Sequence, residues 1–504
     1  MSSSLSSFFI RLFKIHKMVK EKVMDISLRR GFVWPSFEIY GGVKGFYDYG
    51  PVGSLLKRNI EELIRRHYIV EEGCLEVSCP TVTPEDPWVA SGHVKSFSDI
   101  LVECQKCGEP YRADHLVAER MNIQTDGMGI AELKEHIIRA KITCPKCHGT
   151  LGEPYDYNLM FKTYIGPGRK KITAYLRPET AQTTYLLFKR LYAAGRENLP
   201  LGVLQIGRSF RNEISPRQGM IRLREFTQAE IQYFMDPENK NAGRLDEVGH
   251  IKAKIWSKDM QEAGNQAEEI SINQALDSGL IKIPMIAYAL GRAWKLFEKM
   301  GIDTNRLQMR QHKDDERAFY SSDTWDIEFL SKDFGRIEMV GISDRTDYDL
   351  RAHQNLSRVS MEVSKDGRKF VPHVIEVAYG IDRPFYCVLE SCFTEQSGKK
   401  ERVYFRFPNE VAPYRAAVFP LVNKDGIAEK AREVFEKLRR AGLYIQWDAS
   451  GSIGRRYARA DEIGTPFCIT IDYDTLKDGT VTIRERDSMK QERVGINKLV
   501  ERLS

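Results

Sequence analysis

No stretch of about 18 uncharged apolar residues occurs in the 504-residue chain, which excludes a membrane-spanning helix. Cysteine is scarce and odd in number, nine in all, so a disulfide scaffold is excluded as well. Neither a G-x-x-x-x-G-K-[ST] loop nor a Rossmann glycine fingerprint is present, so any nucleotide must be held by another device. There is no internal repeat and no low-complexity tract, which argues against solenoids and disordered linkers. A strong charge of one sign is also missing. The formal net charge is +6, and residues 1–20 supply four of those charges (Arg11, Lys14, Lys17 and Lys20, with no acid), leaving +2 for the rest. Global charge therefore does not identify a nucleic-acid partner.

At 42% hydrophobic and 29% charged the composition is that of a globular protein, long enough for two to four domains at roughly 100–200 residues each. Residues 1–20 are expected to form a leader ahead of the fold. Leu5 to Phe13 mixes Ser with Phe, Ile and Leu and basic residues follow, a loose match to a transit peptide, while Met18 offers another start. The apolar core is short and no small-residue cleavage site is evident, so a cytoplasmic location is expected.

From Gly50-Pro51, a helix start, Val52, Leu55, Leu56, Ile60, Leu63, Ile64 and His67 recur on one side until Gly73. Leu75, Val77 and Cys79 then alternate into Pro80, the pattern of an edge strand. Strands are expected at Ala174 to Glu179, Val203 to Glu213 and Arg222 to Phe234, with Ile214 to Ile221 as the loop of an antiparallel pair. Residues from about 240 to 305 turn to a helical period at Ile286, Leu290, Trp294, Phe297 and Met300, which reads as a helical insertion. Strands resume at Trp325 to Glu328, Arg336 to Gly341 and Val371 to Glu376, and a helical run covers Gly380 to Glu390. Residues 412–504 form a separate αβ unit after a core spanning 21–411.

Cys104-x-x-Cys107 and Cys144-x-x-Cys147 are two thiolate knuckles able to fill one tetrahedral Zn²⁺ shell, with no position left for water, so a structural zinc is expected within 104–147. Phe210-Arg211-Asn212-Glu213, a loop, and then Arg222-x-x-x-Phe226-x-x-x-Glu230 carry a second signal. Alternation would put Arg211 and Glu213 on one face of a strand, and Phe226, Gln228 and Glu230 on one face of its partner. A fixed guanidinium suits a phosphate, and an aromatic ring with a loop arginine can sandwich a purine. A hairpin with solvated ion pairs and Phe226 in the core fits the same spacing.

Three segments resemble the signature motifs of class II aminoacyl-tRNA synthetases: the Pro51 helix with Gly73 to Pro80, Phe210 to Glu230, and Gly380-Ile381-Asp382-Arg383. The HIGH and KMSKS sequences of class I are missing. Tyr47-Asp48-Tyr49-Gly50-Pro51, Ser91-Gly92-His93, Tyr111-Arg112-Ala113-Asp114-His115, Asn158-Leu159-Met160-Phe161, Arg177-Pro178-Glu179-Thr180-Ala181-Gln182 and Pro372-His373-Val374-Ile375-Glu376 are similar to the dimeric archaeal and eukaryotic glycyl-tRNA synthetases, from about Gly31 to the C-terminus.

That resemblance implies an α+β fold: an antiparallel sheet flanked by helices, with a zinc-ribbon insertion, a helical insertion and a C-terminal α/β anticodon-binding domain. It implies a homodimer joined at the first motif, with ATP, Mg²⁺, glycine and tRNA(Gly) as ligands. ATP falls to Arg211, Asn212, Glu213, Ile221, Arg222, Leu223, Arg224, Glu225, Phe226, Glu338, Met339, Gly380, Ile381, Asp382 and Arg383, with Arg211, Glu213 and Arg383 catalytic and Glu338 a metal carboxylate. Glycine falls to Arg112, Glu179, Phe226, Thr227, Gln228, Ala229, Glu230, Glu376, Val377, Ala378, Tyr379 and Gly380, and tRNA to Arg455, Arg456 and Arg459. The implied activity is ATP-dependent formation of glycyl-adenylate and transfer of glycine to tRNA. The alternatives are a class II enzyme for another small amino acid and a nucleic-acid-binding relative without ligase activity. Two departures stand out: Ala378 where these enzymes commonly carry Ser, and Thr183 where Gly is usual.

Overall fold

The computed structural model describes residues 22–503 except 124, 126, 215, 217–218 and 397–401, so the leader expected at 1–20 lies outside the described residues. Nine strands make the central sheet: β1 (Leu75–Val77), β2 (Leu201–Phe210), β3 (Glu225–Met235), β4 (Lys252–Trp256), β5 (Glu268–Ser271), β6 (Leu307–Gln311), β7 (Asp323–Ser331), β8 (Gly335–Thr346) and β9 (His373–Gly380). Their spatial order is β5-β4-β6-β7-β8-β9-β3-β2-β1. Neighbours are antiparallel except β1 with β2 and β4 with β6. The strand that leads toward Pro80 does sit at an edge, where a residue without an amide hydrogen costs no ladder bond.

Alternation divides the sheet into two faces. On one, Ala229, Ile231, Ile327, Phe329, Val340, Ile342, Val377 and Tyr379 enter the main apolar core. Helices α1 (Pro51–Arg65), α2 (Pro284–Lys299) and α4 (Asp382–Cys392) supply further members of that core. α1 starts at Gly50 with Pro51 in its first turn and buries Val52, Leu56, Ile60, Leu63 and Ile64. The other face is polar over its middle and is closed beyond it by Ala181–Tyr185, Phe188–Ala194 and α3 (Tyr348–Ser357), packed around Phe234 and Val374.

β8 carries two bulges. Ile327 pairs with Val340 and Glu328 with Glu338, leaving Met339 as the extra residue. Asp344 pairs with Ile375 and Thr346 with Val374, leaving Arg345 as the second. Each bulge shifts the face on which the following residues emerge.

Three expectations need correction. Residues 240–305 are not a helical insertion, because β4 and β5 extend the central sheet and α2 lies in its core. The helical period at Ile286 to Met300 is the signature of α2 burying nearly all of its surface. The strand expected at Ala174 to Glu179 runs Ile172–Leu176 and belongs to a separate three-stranded sheet with Val82–Pro84 and Phe161–Ile165. β2 stops at Phe210, so Arg211 and Glu213 lie beyond it, where the Glu213 amide turns back to the Arg211 carbonyl at 2.7 Å.

The zinc-ribbon region has its own core around Val102, Leu116, Leu133, Ile137 and Leu151. At the C-terminus, strands β10 (Ala416–Pro420), β11 (Ile445–Trp447), β12 (Phe467–Ile471), β13 (Thr480–Glu485) and β14 (Gln491–Gly495) form a five-stranded sheet in the order β11-β10-β12-β13-β14. Helices α5 (Ile427–Arg440) and α6 (Ile453–Ile463) pack against it. Arg402 joins Asp461 at 3.0 Å, and Arg30 joins Glu462 at 2.5 Å, tying α6 to the preceding unit.

α2 tests how closely the core is packed. A Cβ added at Gly291 would lie 2.4 Å from Val248 Cβ. Helix propensity favours alanine over glycine by about 1 kcal/mol, while overpacking costs about 1–3 kcal/mol, so the clash prevails. Gly291→Ala is therefore expected to lower the urea midpoint; a raised midpoint would show that Val248 moves aside freely.

Candidate active site

The polar face of the sheet holds a cavity of ≈ 380 Å³. Register explains its lining. On β3, Phe226, Gln228 and Glu230 face it; on β9, Glu376, Ala378 and Gly380 do. The Met339 bulge lets Glu338 share this face with Gly341 and Ser343 of β8. The cavity thus runs along the strands from an acidic end at Glu179, Glu230 and Glu376 to a basic end at Arg211, Arg222 and Arg383.

At the basic end the Arg383 guanidinium meets Glu338 Oε2 at 3.1 Å and donates to the Ile221 carbonyl at 3.2 Å. Arg211 lies 5.4 Å from the Phe226 ring and 5.3 Å from the Phe97 ring, while Arg222 faces Glu213 at 3.7 Å. Asp382, at the start of α4, accepts the Thr227 amide at 2.7 Å and Lys57 at 3.0 Å, and also accepts the Tyr49 hydroxyl. It forms part of the wall between this cavity and a depression beside α1.

At the acidic end a buried arginine organises the carboxylates. Arg345 reaches Asp349 at 2.7 Å, Glu376 at 3.0 Å and Glu179 at 3.8 Å, and lies 3.9 Å over the Tyr320 ring. Gln182 donates to both Glu179 and Asp349, and Gln232 donates to Glu376 at 3.0 Å. His93 stands 3.4 Å from Glu179. Burial pushes the Glu179 carboxyl up, but His93 and then Arg345 hold it well below the usual range. Among the described residues Glu230 accepts from the Thr180 hydroxyl alone, at 2.7 Å, and burial, then the charges of Glu376 and Glu179, push it up to about 8. The turn bearing Glu179 is fixed by Arg177, which crosses over Gly207 to bond Gln205 Oε1 at 2.9 Å and the Cys79 carbonyl at 3.0 Å. A Cβ at Gly207 would sit 2.0 Å from that guanidinium.

Not every residue expected at the site faces it. Thr227, Ala229, Val377, Tyr379 and Ile381 lie off the cavity lining, and Met339 is buried in the core. Arg224 donates to the Glu213 carbonyl, Glu225 pairs with Arg208, and Asn212 donates to the Tyr157 hydroxyl. Arg112 is held by Asp99 at 3.0 Å and by Asp114, away from the three glutamates. Arg345, Asp349, Tyr320 and Ser343 were not singled out from sequence, and the bulges that aim β8 leave no compositional mark.

The chain matches the family model described as tRNA synthetase class II core domain (G, H, P, S and T) over residues 164–392, and the anticodon binding domain over 415–504. It is 43% identical to the glycine–tRNA ligase of Methanothrix thermoacetophila, covering 95% of this chain and 96% of that one. The glycine–tRNA ligase of Methanocaldococcus jannaschii is also 43% identical, over 97% and 99% of the two chains. This chain belongs to the glycine–tRNA ligase family. Its fold is also that of a Giardia lamblia prolyl-tRNA synthetase, with a TM-score of 0.57 at 15% identity over 96% of this chain and 76% of that one.

Of the two departures from the glycine–tRNA ligases, only one reaches the cavity. Thr183 is turned inward, donating to the Thr180 carbonyl at 2.9 Å and accepting from Gln205 at 3.2 Å. Ala378 faces the cavity, presenting a methyl at the position where the resemblance implies a serine. The family's anticodon-binding unit shows a further difference from expectation. Arg456 is buried and caps the carbonyls of Pro420 and Gly451, and Arg459 is joined to Asp448 at 2.7 Å, so of the three arginines only Arg455 is exposed.

The four thiols Cys104, Cys107, Cys144 and Cys147 lie within 4.8 Å of one another. Cys104 Sγ to Cys147 Sγ is 3.5 Å and Cys107 Sγ to Cys144 Sγ is 3.7 Å, close to the roughly 3.8 Å edge of a tetrahedron with Zn–S near 2.3 Å. The set fits a zinc ion. Metal analysis is expected to find one zinc per chain, and Cys104→Ser to lose it along with thermal stability; a variant that keeps both would overturn the assignment.

Glu230 yields a second prediction. A carboxyl whose folded pKa is raised to about 8 favours the folded state while protonated and loses that advantage as pH rises from its unfolded value through 8. Glu230→Gln is therefore expected to raise the melting temperature of the ligand-free protein, by an amount that grows from pH 5 to 8 and then levels. A difference independent of pH would mean that Glu230 is ionised throughout.

Proposed function

We propose that the chain joins glycine to tRNA(Gly) in two steps at this cavity. The observation that carries the reading is that one small cavity pairs a basic end with a buried acidic end, as a triphosphate and an ammonium require. Glycine's carboxylate oxygen attacks the α-phosphorus of ATP, the bond to the β-phosphate oxygen breaks, and pyrophosphate leaves with glycyl-adenylate held. The terminal ribose hydroxyl of tRNA then attacks the glycyl carbonyl, loses its proton and releases AMP.

No side chain forms a covalent bond, so the residues act by position and charge. Arg211 neutralises the phosphate under attack and Arg383 the far phosphates, with Phe226 and Arg222 flanking the adenine. Glu213 restrains Arg222. Glu338 is the carboxylate offered to Mg²⁺, which when bound spreads the triphosphate charge. Glu179, Glu230 and Glu376 receive the ammonium. The arrival of glycine's ammonium favours the ionised form of Glu230, so binding releases that carboxyl's proton.

A homodimer joined near α1 is supported by the hairpin of Val33–Pro35 and Tyr47–Tyr49 ahead of it, in whose connection Ile39 and Tyr40 are 89% and 86% exposed. A cytoplasmic site of action is supported by the gathering of four of the nine cysteines into one set of metal-ligand thiols, which a reducing compartment keeps free. Arg455 is the arginine of α6 available to tRNA.

Amino-acid-dependent exchange of pyrophosphate into ATP, run with all twenty amino acids, tests the reading. Glycine is expected to support exchange, and Arg211→Ala and Arg383→Ala each to lower it by about 10²–10³. Exchange with a different amino acid would reassign the substrate, and exchange with none would leave a nucleic-acid-binding relative.

A further inference from the structure

Ser343 sits on the acidic end of the cavity, on β8 directly opposite Glu376 of β9. Gly341 stands opposite Ala378, so Ser343 is diagonal to that methyl on the same face. Among the described residues its one side-chain partner is Thr324, Oγ to Oγ1 at 3.1 Å. Thr324 in turn meets Ser321 Oγ at 2.9 Å.

The direction of this chain of hydroxyls is decided at its far end. Ser321 Oγ lies 2.8 Å from the Asp323 carbonyl and 3.2 Å from the Asp344 carbonyl, and carbonyls only accept. Ser321 therefore uses its single proton on a carbonyl and must accept from Thr324. Thr324, its proton committed, must accept from Ser343. The Ser343 proton is thus committed sideways to Thr324, its cross-strand neighbour on β7 and itself part of the cavity wall, and only the lone pairs of its oxygen remain for a ligand. Such an oxygen accepts from a cation and cannot donate to a carboxylate or phosphate.

We propose that Ser343 is a fourth acceptor for the substrate ammonium, supplying from β8 the hydroxyl that β9 lacks at Ala378. The proposal rests on the reading that an amino acid occupies the acidic end. Serine contributes an oxygen without adding a fourth negative charge to a site already crowded with carboxylates. The relay adds direction: a lone hydroxyl would rotate to donate to Glu376 in the empty site and would have to turn on binding, whereas this one is already aimed.

Ser343→Ala is expected to raise KM for glycine in the exchange assay roughly tenfold, since a hydrogen bond to a charged group contributes about 1.5–3 kcal/mol. The turnover number, KM for ATP and melting temperature should stay near those of the parent. Thr324→Val, which frees the Ser343 proton to rotate, should raise the same KM. In Ser343→Ala/Ala378→Ser the hydroxyl returns on the neighbouring strand, and KM for glycine should recover. Calorimetric titration of glycine into parent and Ser343→Ala reads the same contribution without catalysis. Glycine binding without exchange would overturn the ligase reading alone. Unchanged glycine affinity in Ser343→Ala, or a loss that the double variant fails to reverse and that comes with a lowered melting temperature, would overturn the role of Ser343. Absence of glycine binding in the parent would overturn both.

Discussion

Three carboxylates face one cavity of ≈ 380 Å³, and like charges stripped of water in so small a space would take up protons or move apart. Arg345 is what permits the arrangement. Its guanidinium is 1% exposed, bonded to Asp349 and Glu376 and near Glu179; it helps His93 hold Glu179 well below the usual range and offsets part of the upward push that burial gives Glu376. Glu230, outside its direct reach, bears the remaining strain and shows it in a raised pKa. The site is thus complete in charge except for one place, and a small ammonium fits that deficit. Selection for glycine is in this view a matter of charge placed first and of space left over second.

The same sheet face reaches the basic end without any change of element. Asp382, accepting at once from the Thr227 amide, Lys57 and Tyr49, fixes the start of α4 against β3 and α1, so that Arg383 emerges at a set height above the sheet. The helix bearing Arg383 is thereby braced by the segment nearest the exposed residues Ile39 and Tyr40. An assembly contact made there would bear on α1 and, through Lys57, on the wall of the cavity.

Much of this was legible in the sequence. Period-two alternation correctly sets Phe226, Gln228 and Glu230 on one face, because β3 runs without a bulge. The thiol pairs found each other because two short knuckles leave few alternatives. The αβ unit expected at the C-terminus alternates strand and helix with clear breaks. What stayed hidden has physical causes. Arg345 occupies a bulge, and a bulge is decided by the partner strand. Arg456 looks like its exposed neighbour Arg455 until the Pro420 carbonyl is seen in front of it. Residues 240–305 read as helix because the buried α2 overwhelms the signal of two short marginal strands.

β8 runs twelve residues from Gly335 to Thr346 and contributes to both ends of the cavity: Glu338 beside Arg383 and Arg345 beside the glutamates. Between them lies Met339, the residue with no opposite number on β7. Its presence sets the phase of the whole strand, so the two halves of the site are kept in step by a count rather than by a contact. Substitution at this point leaves that count alone, but loss or gain of one residue turns one half of the site to the wrong side of the sheet. The length of this segment is therefore as strict a requirement of the site as any side chain in it.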